Sequence, residues 1–151
     1  MLSVASASRP APLPPQVDDP PLLHASLEAL AGKEEELTER FYPLFFARHP
    51  EVQPLFGEHG VSEREEMIRE TLASVLAHAD DEPWLDGNLE AMGRSHAEYG
   101  VEGWMYEAFL ACMLDVLEDT LGAAWSEPCD QAWSRALERL TRVMHRAARH
   151  R

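Results

Sequence analysis

The chain has 151 residues, enough for one domain that buries roughly 68–70% of its unfolded surface and too few for two ordinary ones. Twenty-seven acidic residues against thirteen basic ones leave a formal charge of −14, which argues against nucleic acid or an anionic membrane surface as the main partner. Two cysteines without metal-ligand spacing read as free thiols, and the absence of a leader pattern or of about 18 uninterrupted apolar residues points to a cytoplasmic protein with no membrane association.

Six of the eleven prolines crowd into the first 21 residues. That composition buries little and cannot propagate a helix, so residues 1–21 read as a disordered tail and 22–151 as the domain. From Leu22 onward the apolar residues recur at helical spacing with almost no period-2 alternation, which predicts an all-α architecture. "LLHASLEALAG" is a first short helix. In "EEELTERFYPLFFARHP", Leu37, Phe41, Leu44 and Phe45 share a face, with Pro43 removing one backbone donor and bending the helix locally.

"HPEVQPLFGEHG" is a corner, because two prolines and two glycines leave room for a single turn of tight helix at most. Ser62 followed by Glu65 is a capping-box pattern opening a helix with Ile68, Leu72, Val75 and Leu76 on one face. Pro83 opens the next, in which Leu85, Leu89, Met92 and His96 fall on one stripe, so His96 points inward. After Gly100 a long helix carries Tyr106, Phe109, Met113, Leu117 and Leu121 inward. "SEP" starts the last one, with Trp133, Leu137, Leu140 and Met144 inside and Arg142, Arg146, Arg149 and Arg151 at its end, where cations complement the macrodipole.

An inward histidine on its own is more often a hydrogen-bonded core residue than a ligand. No Cys/His/Asp/Glu cluster accompanies His96 at zinc spacing, which disfavours a conventional multi-ligand metal site. A metal that brings its own equatorial ligands, as haem iron does, needs only one protein nitrogen. In a helix the Met92 carbonyl, four residues back, is a natural acceptor for the second ring nitrogen, which fixes the tautomer and gives a modest push on any metal.

Several ordered motifs, "FY" (41–42), "HPEVQPLF" (49–56), "LEAMGRSHAEYGV" (89–101), the tyrosine at 106 and "LGAAWSEPCDQAW" (121–133), resemble those of bacterial single-domain globins and the haem domain of flavohaemoglobins. The resemblance runs from about Leu22 to Met144. It implies a globin fold around haem b (iron protoporphyrin), with His96 as proximal metal ligand and Phe56 packing on the porphyrin. Tyr42 falls at the distal tyrosine position, Arg64 at the distal gate, Ile68 one turn deeper with Leu72 beyond it, and Met92 and Tyr106 on the proximal side.

A one-residue gap near Asp80 would put Glu63 or Glu65 at the gate instead of Arg64. Arg64 reads equally as a solvated charge or the partner of a haem propionate, and its place near a helix start hints at a compensating anion. The remaining histidines read as surface or boundary residues, with His59 able to swing toward the distal side. The late-helix glutamate of flavohaemoglobins matches about His150 here, a departure that argues against a strong-push redox role.

Three functions remain in view. The first is reversible binding of dioxygen, with nitric oxide or carbon monoxide as further ligands, for transport or sensing. The second is a nitric oxide dioxygenase relying on a separate reductase, since the sequence ends with the globin. The third is a haem-free regulatory module that keeps only the fold.

Overall fold

Leu23 and Leu30, with the small Ser26 between them, form the inward stripe of the first helix, α1 (Asp19–Leu30). The computed structural model describes residues 18–57 and 60–149. Within them the elements are α1, α2 (Glu34–Arg48), a 3-10 turn (Pro50–Val52), α3 (Gln53–Phe56), α4 (Val61–Ala79), α5 (Leu85–Glu98), α6 (Gly103–Leu121), a second 3-10 turn (Gly122–Ala124) and α7 (Glu127–Ala148). All are helical, as the spacing of apolar residues predicts.

Helix α1 begins three residues before the expected boundary at Leu22. Pro20 and Pro21 sit in its first turn, where the fixed proline φ suits a helix and the missing N–H donors have no helical partner to lose. The rest of the expected tail, residues 1–17, lies outside the described residues. Asp19 is anchored by a bidentate pair with Arg135 of α7, at 2.6 and 2.8 Å and almost wholly buried. Two turns on, the Trp133 indole N–H donates to Ser26 Oγ at 2.7 Å. Both links join residues more than a hundred positions apart.

Helix α2 runs through Pro43 without a break. Helix α4 starts at Val61 rather than after Ser62: Gly60 is its N-cap, and the Glu63 carboxylate accepts the Gly60 N–H at 2.9 Å. A glycine offers no side chain to complete a reciprocal box, so this cap is one-sided. At the other end Ser126 behaves as expected, its hydroxyl accepting the Cys129 N–H at 3.2 Å. Cys112 and Cys129 are both free and buried.

The last helix is the spine of the molecule, packing on α1, α4, α5 and α6, while α2 lies against α4 and α6. Its inner stripe of Trp133, Ala136, Leu137, Leu140 and Met144 is buried against Leu85 and Leu89 of α5 and Met113 and Leu117 of α6. The closest approach is at Gly93, where an added Cβ would stand 2.7 Å from the Met144 carbonyl carbon. Only hydrogen fits there, and that fixes how near α5 can lie to α7. No helix among the described residues is long and apolar enough to cross a membrane.

Candidate functional site

Between α4 and α5, closed behind by α6 and α7 and bordered by the corner of Leu55 and Phe56, lies a cavity of about 320 Å³. Its size falls within the range of small-molecule and cofactor sites. Its walls are mostly apolar: Leu89, Met92, Met105, Phe109, Leu137 and Met144 supply much of the surface.

His96 faces this cavity from α5, half-buried. Its Nδ1 lies 2.7 Å from the Met92 carbonyl oxygen. A carbonyl only accepts, so Nδ1 carries the proton and donates it, and the neutral ring keeps its lone pair on Nε2. The helix thereby sets the tautomer of an imidazole on an apolar wall. Among the described residues no group of three or more His, Cys, Asp or Glu side chains is placed to share a metal ion.

On the opposite wall, Arg64, Met67, Thr71 and Ser74 of α4 face the cavity, joined by Glu63 and Glu70. Ile68 and Leu72, expected there, instead point into the core, with Ile68 fully enclosed. The stripe of Ile68, Leu72 and Val75 is the packing face of α4, and the cavity-facing stripe lies one residue earlier, about 100° around the helix. Arg64 keeps its place on the cavity-facing stripe, with Glu63 beside it on the wall.

Tyr42 stands one layer behind the wall. Its ring contacts Phe41, Phe46 and Phe56 edge-on or tilted, and its hydroxyl donates to the Arg64 carbonyl at 3.2 Å with Met67 Sδ at 3.6 Å. Burial raises its pKa, opposed in part by the nearby Arg64 charge. Phe56 does line the cavity, and so does Tyr106.

Two polar atoms on the wall are buried without a hydrogen-bond partner: Arg64 Nε and Tyr106 Oη. Burial pushes the Tyr106 phenol up to about 12. Its ring lies 5.8 Å from that of His145, which fits above Gly103, where a Cβ would come within 2.7 Å of His145 Nε2. The late-helix residue beside Tyr106 is therefore His145, and the expected His150 lies outside the described residues, as does His59. The clue was present in the sequence only as a glycine, Gly103, with no period to mark it.

The other histidines occupy separate places. His24 pairs with Asp80 at 2.7 Å, and His49 packs beside Trp104. Half-buried His78 accepts from Arg139 at 3.1 Å; burial and that positive charge lower its pKa.

The donor set fits a flat, apolar cofactor that needs one axial nitrogen. An imidazole with a free Nε2 faces an apolar chamber large enough for a cofactor. Of the residues expected at such a site, Phe56, Arg64, Met92, His96 and Tyr106 share the cavity, while Tyr42, Ile68 and Leu72 do not border it.

A family model for globins matches residues 39–144. The chain is 23% identical over 124 residues to a flavohaemoprotein of Vibrio cholerae, a match covering 81% of this chain and 32% of that one, so it spans about a third of that relative's length. It is 26% identical over 110 residues to an uncharacterized globin-like protein of Aquifex aeolicus, covering 72% and 76% of the two chains. Among solved structures, an engineered carbene transferase, a candidate nitric oxide dioxygenase of Rhodothermus marinus, is 28% identical with a TM-score of 0.74, covering 89% of this chain and 94% of that one. A bacterial globin of Campylobacter jejuni shares the fold with the same TM-score at 20% identity, covering 89% and 97%.

Proposed function

The chain belongs to the globin family, and from that premise we propose that it is a haem protein binding dioxygen reversibly, along with nitric oxide or carbon monoxide, for oxygen transport or sensing. The observation that carries this reading is His96: an imidazole whose Nδ1–H is held by the Met92 carbonyl and whose Nε2 is left to ligate. A haem b iron, when bound, supplies an open coordination position for a diatomic gas.

The chain's own contributions follow from its side chains. His96 would hold the metal through Nε2, and the neutral Met92 acceptor leaves that nitrogen only moderately basic. Phe56, Leu89 and Met92 would pack against the porphyrin. Tyr42 is the candidate donor to a polarised gas. To serve, its hydroxyl exchanges the Arg64 carbonyl for the ligand, a contact worth about 1.5–3 kcal/mol if charge-assisted.

The direct test is His96→Gly. The variant is expected to lose the intense violet absorption band of haem after reconstitution and to regain it with added imidazole. Unchanged pigment without imidazole would refute the assignment. Tyr42→Phe is expected to speed oxygen release about ten- to hundredfold while carbon monoxide release hardly changes; equal effects on both gases would remove Tyr42 from the pocket's chemistry.

A second reading, nitric oxide dioxygenation, draws support from the likeness to the Rhodothermus marinus protein and to the flavohaemoproteins. It requires electrons from a reductase. Sustained nitrate production from nitric oxide with a supplied reductase, well above the rate of an ordinary globin, would favour it. We place the protein in the cytoplasm on either reading.

A further inference from the structure

The two walls of the cavity, α4 and α5, meet each other only slightly, and both pack on α7. One side chain of α7 reaches both walls at the place where the chain turns from α4 into α5. Arg139 donates through Nη1 to His78 Nδ1 at 3.1 Å and through Nη2 to Asp86 Oδ1 at 3.0 Å. His78 lies in the last turn of α4 and Asp86 in the first turn of α5. Leu137, Leu140 and Thr141, on either side of Arg139 in the sequence, line the cavity itself.

The two arms of this guanidinium differ in kind. The Asp86 carboxylate is more than half exposed, and a wet ion pair contributes little. The His78 arm is more sheltered, and it depends on protonation. A guanidinium only donates, so Nδ1 presents its lone pair and the neutral ring carries its one proton on Nε2. A second proton enters at Nδ1, removes the acceptor and sets two cations side by side.

We propose that His78, Arg139 and Asp86 form a proton-sensitive clasp on the cavity walls: the neutral ring of His78 ties the end of α4 to α7, and its protonation releases that tie. The charges around the ring act in both directions. Burial and the Arg139 cation disfavour the protonated ring, while Asp19 of α1 and Asp81 of the α4–α5 turn favour it, and the balance leaves its pKa below the ordinary value. The carbonyl end of the α4 macrodipole also favours the charged ring. Of the other charges at this corner, Arg135 is engaged by Asp19, with Glu138 adding to the field around it, and Asp80 is engaged by His24.

Because the folded ring takes a proton less readily than the unfolded one, the clasp contributes fully above about pH 6.5 and loses its contribution as pH falls from there through the folded value. Acid then loosens the α4–α5 corner and the hold of both walls on whatever fills the cavity. That consequence does not depend on the guest being haem.

The experiment uses the full chain without haem, at about pH 7.5 and about pH 5.5, on either side of the midpoint of a free imidazole. Ring-nitrogen chemical shifts of His78 report its tautomer and titration. Amide hydrogen exchange at the end of α4 and the start of α5, corrected for the intrinsic pH dependence of exchange, reports the corner. The variants are His78→Asn, whose amide oxygen falls where Nδ1 stands and accepts at both pH values, and Arg139→Met, which removes the donor.

In the wild type the neutral ring is expected to carry its proton on Nε2, and corner exchange to rise about two- to tenfold in acid, the worth of one hydrogen bond. His78→Asn should lose that acid response. Arg139→Met should exchange fast at both pH values and raise the His78 midpoint. A neutral His78 protonated on Nδ1, or a His78→Asn corner that loosens in acid as the wild type does, would overturn the proposal. The ring titration needs no variant, and neither readout involves haem, so the haem reading stands or falls separately.

Discussion

Tyr106 carries a hydroxyl that folding removes from water and leaves without a partner, an arrangement that costs about 1–3 kcal/mol. Tyr106→Phe should therefore raise the stability of the haem-free chain, by about 1 kcal/mol in urea unfolding near neutral pH. The same burial holds the phenol at about 12 in the folded chain, against about 10 when unfolded. Above about pH 10 the unfolded state sheds the proton first, so stability falls as pH rises through that window. The Phe variant should lose that share of the alkaline decline, which unfolding curves near neutral pH and near pH 11 would resolve. A Phe variant less stable at neutral pH would mean that the hydroxyl has a partner in solution.

The crossing of α5 and α7 decides where His96 stands. Gly93 lies three residues before it, against the Met144 backbone, and backbone yields far less readily than the end of a side chain. Gly93→Ala should cost about 1–3 kcal/mol of stability by overpacking and reduce haem retention by shifting the carrier of the ligand. Thermal unfolding and the rate of haem loss to an acceptor globin would measure the two effects. The periodicity of α5 made the inward stripe of Leu85, Leu89, Met92 and His96 legible, because a 3.6-residue period depends on nothing outside the helix. It could not mark Gly93, whose importance lies wholly in a partner fifty residues away. On α4 the same period identified the packing stripe of Ile68 and Leu72 and passed over Met67, Thr71 and Ser74. A cavity wall that a cofactor would cover carries no hydrophobic demand from the protein alone, and here it reads in sequence as an edge of the polar face.

At the scale of the molecule, a formal charge of −14 makes the folded chain repel itself. Added sodium chloride, taken from about 10 mM to about 0.5 M, should raise the thermal midpoint by screening that repulsion. Buried pairs such as Asp19 with Arg135 respond little, so a midpoint that falls with salt would show that surface attractions outweigh the excess charge. Composition and apolar spacing were sufficient for an all-α chain with one core, and ordered motifs for its likeness to globins. The ties across the fold were invisible beforehand. Asp19 stands in a stretch that reads as proline-rich tail, and its bidentate contact with α7 ties it into the domain.

That contact has a consequence for the chain during synthesis. The anchor for α1 is made 116 residues after Asp19, so the first helix leaves the ribosome long before its partner. Until α7 follows, the first helix has neither its Arg135 partner nor the indole that donates to Ser26, and the part of its surface that α7 covers stays exposed to whatever binds greasy nascent segments. Closure of the domain must wait until α7 has emerged, and a stall or truncation short of Trp133 would release a polypeptide whose first helix lacks its anchors on α7.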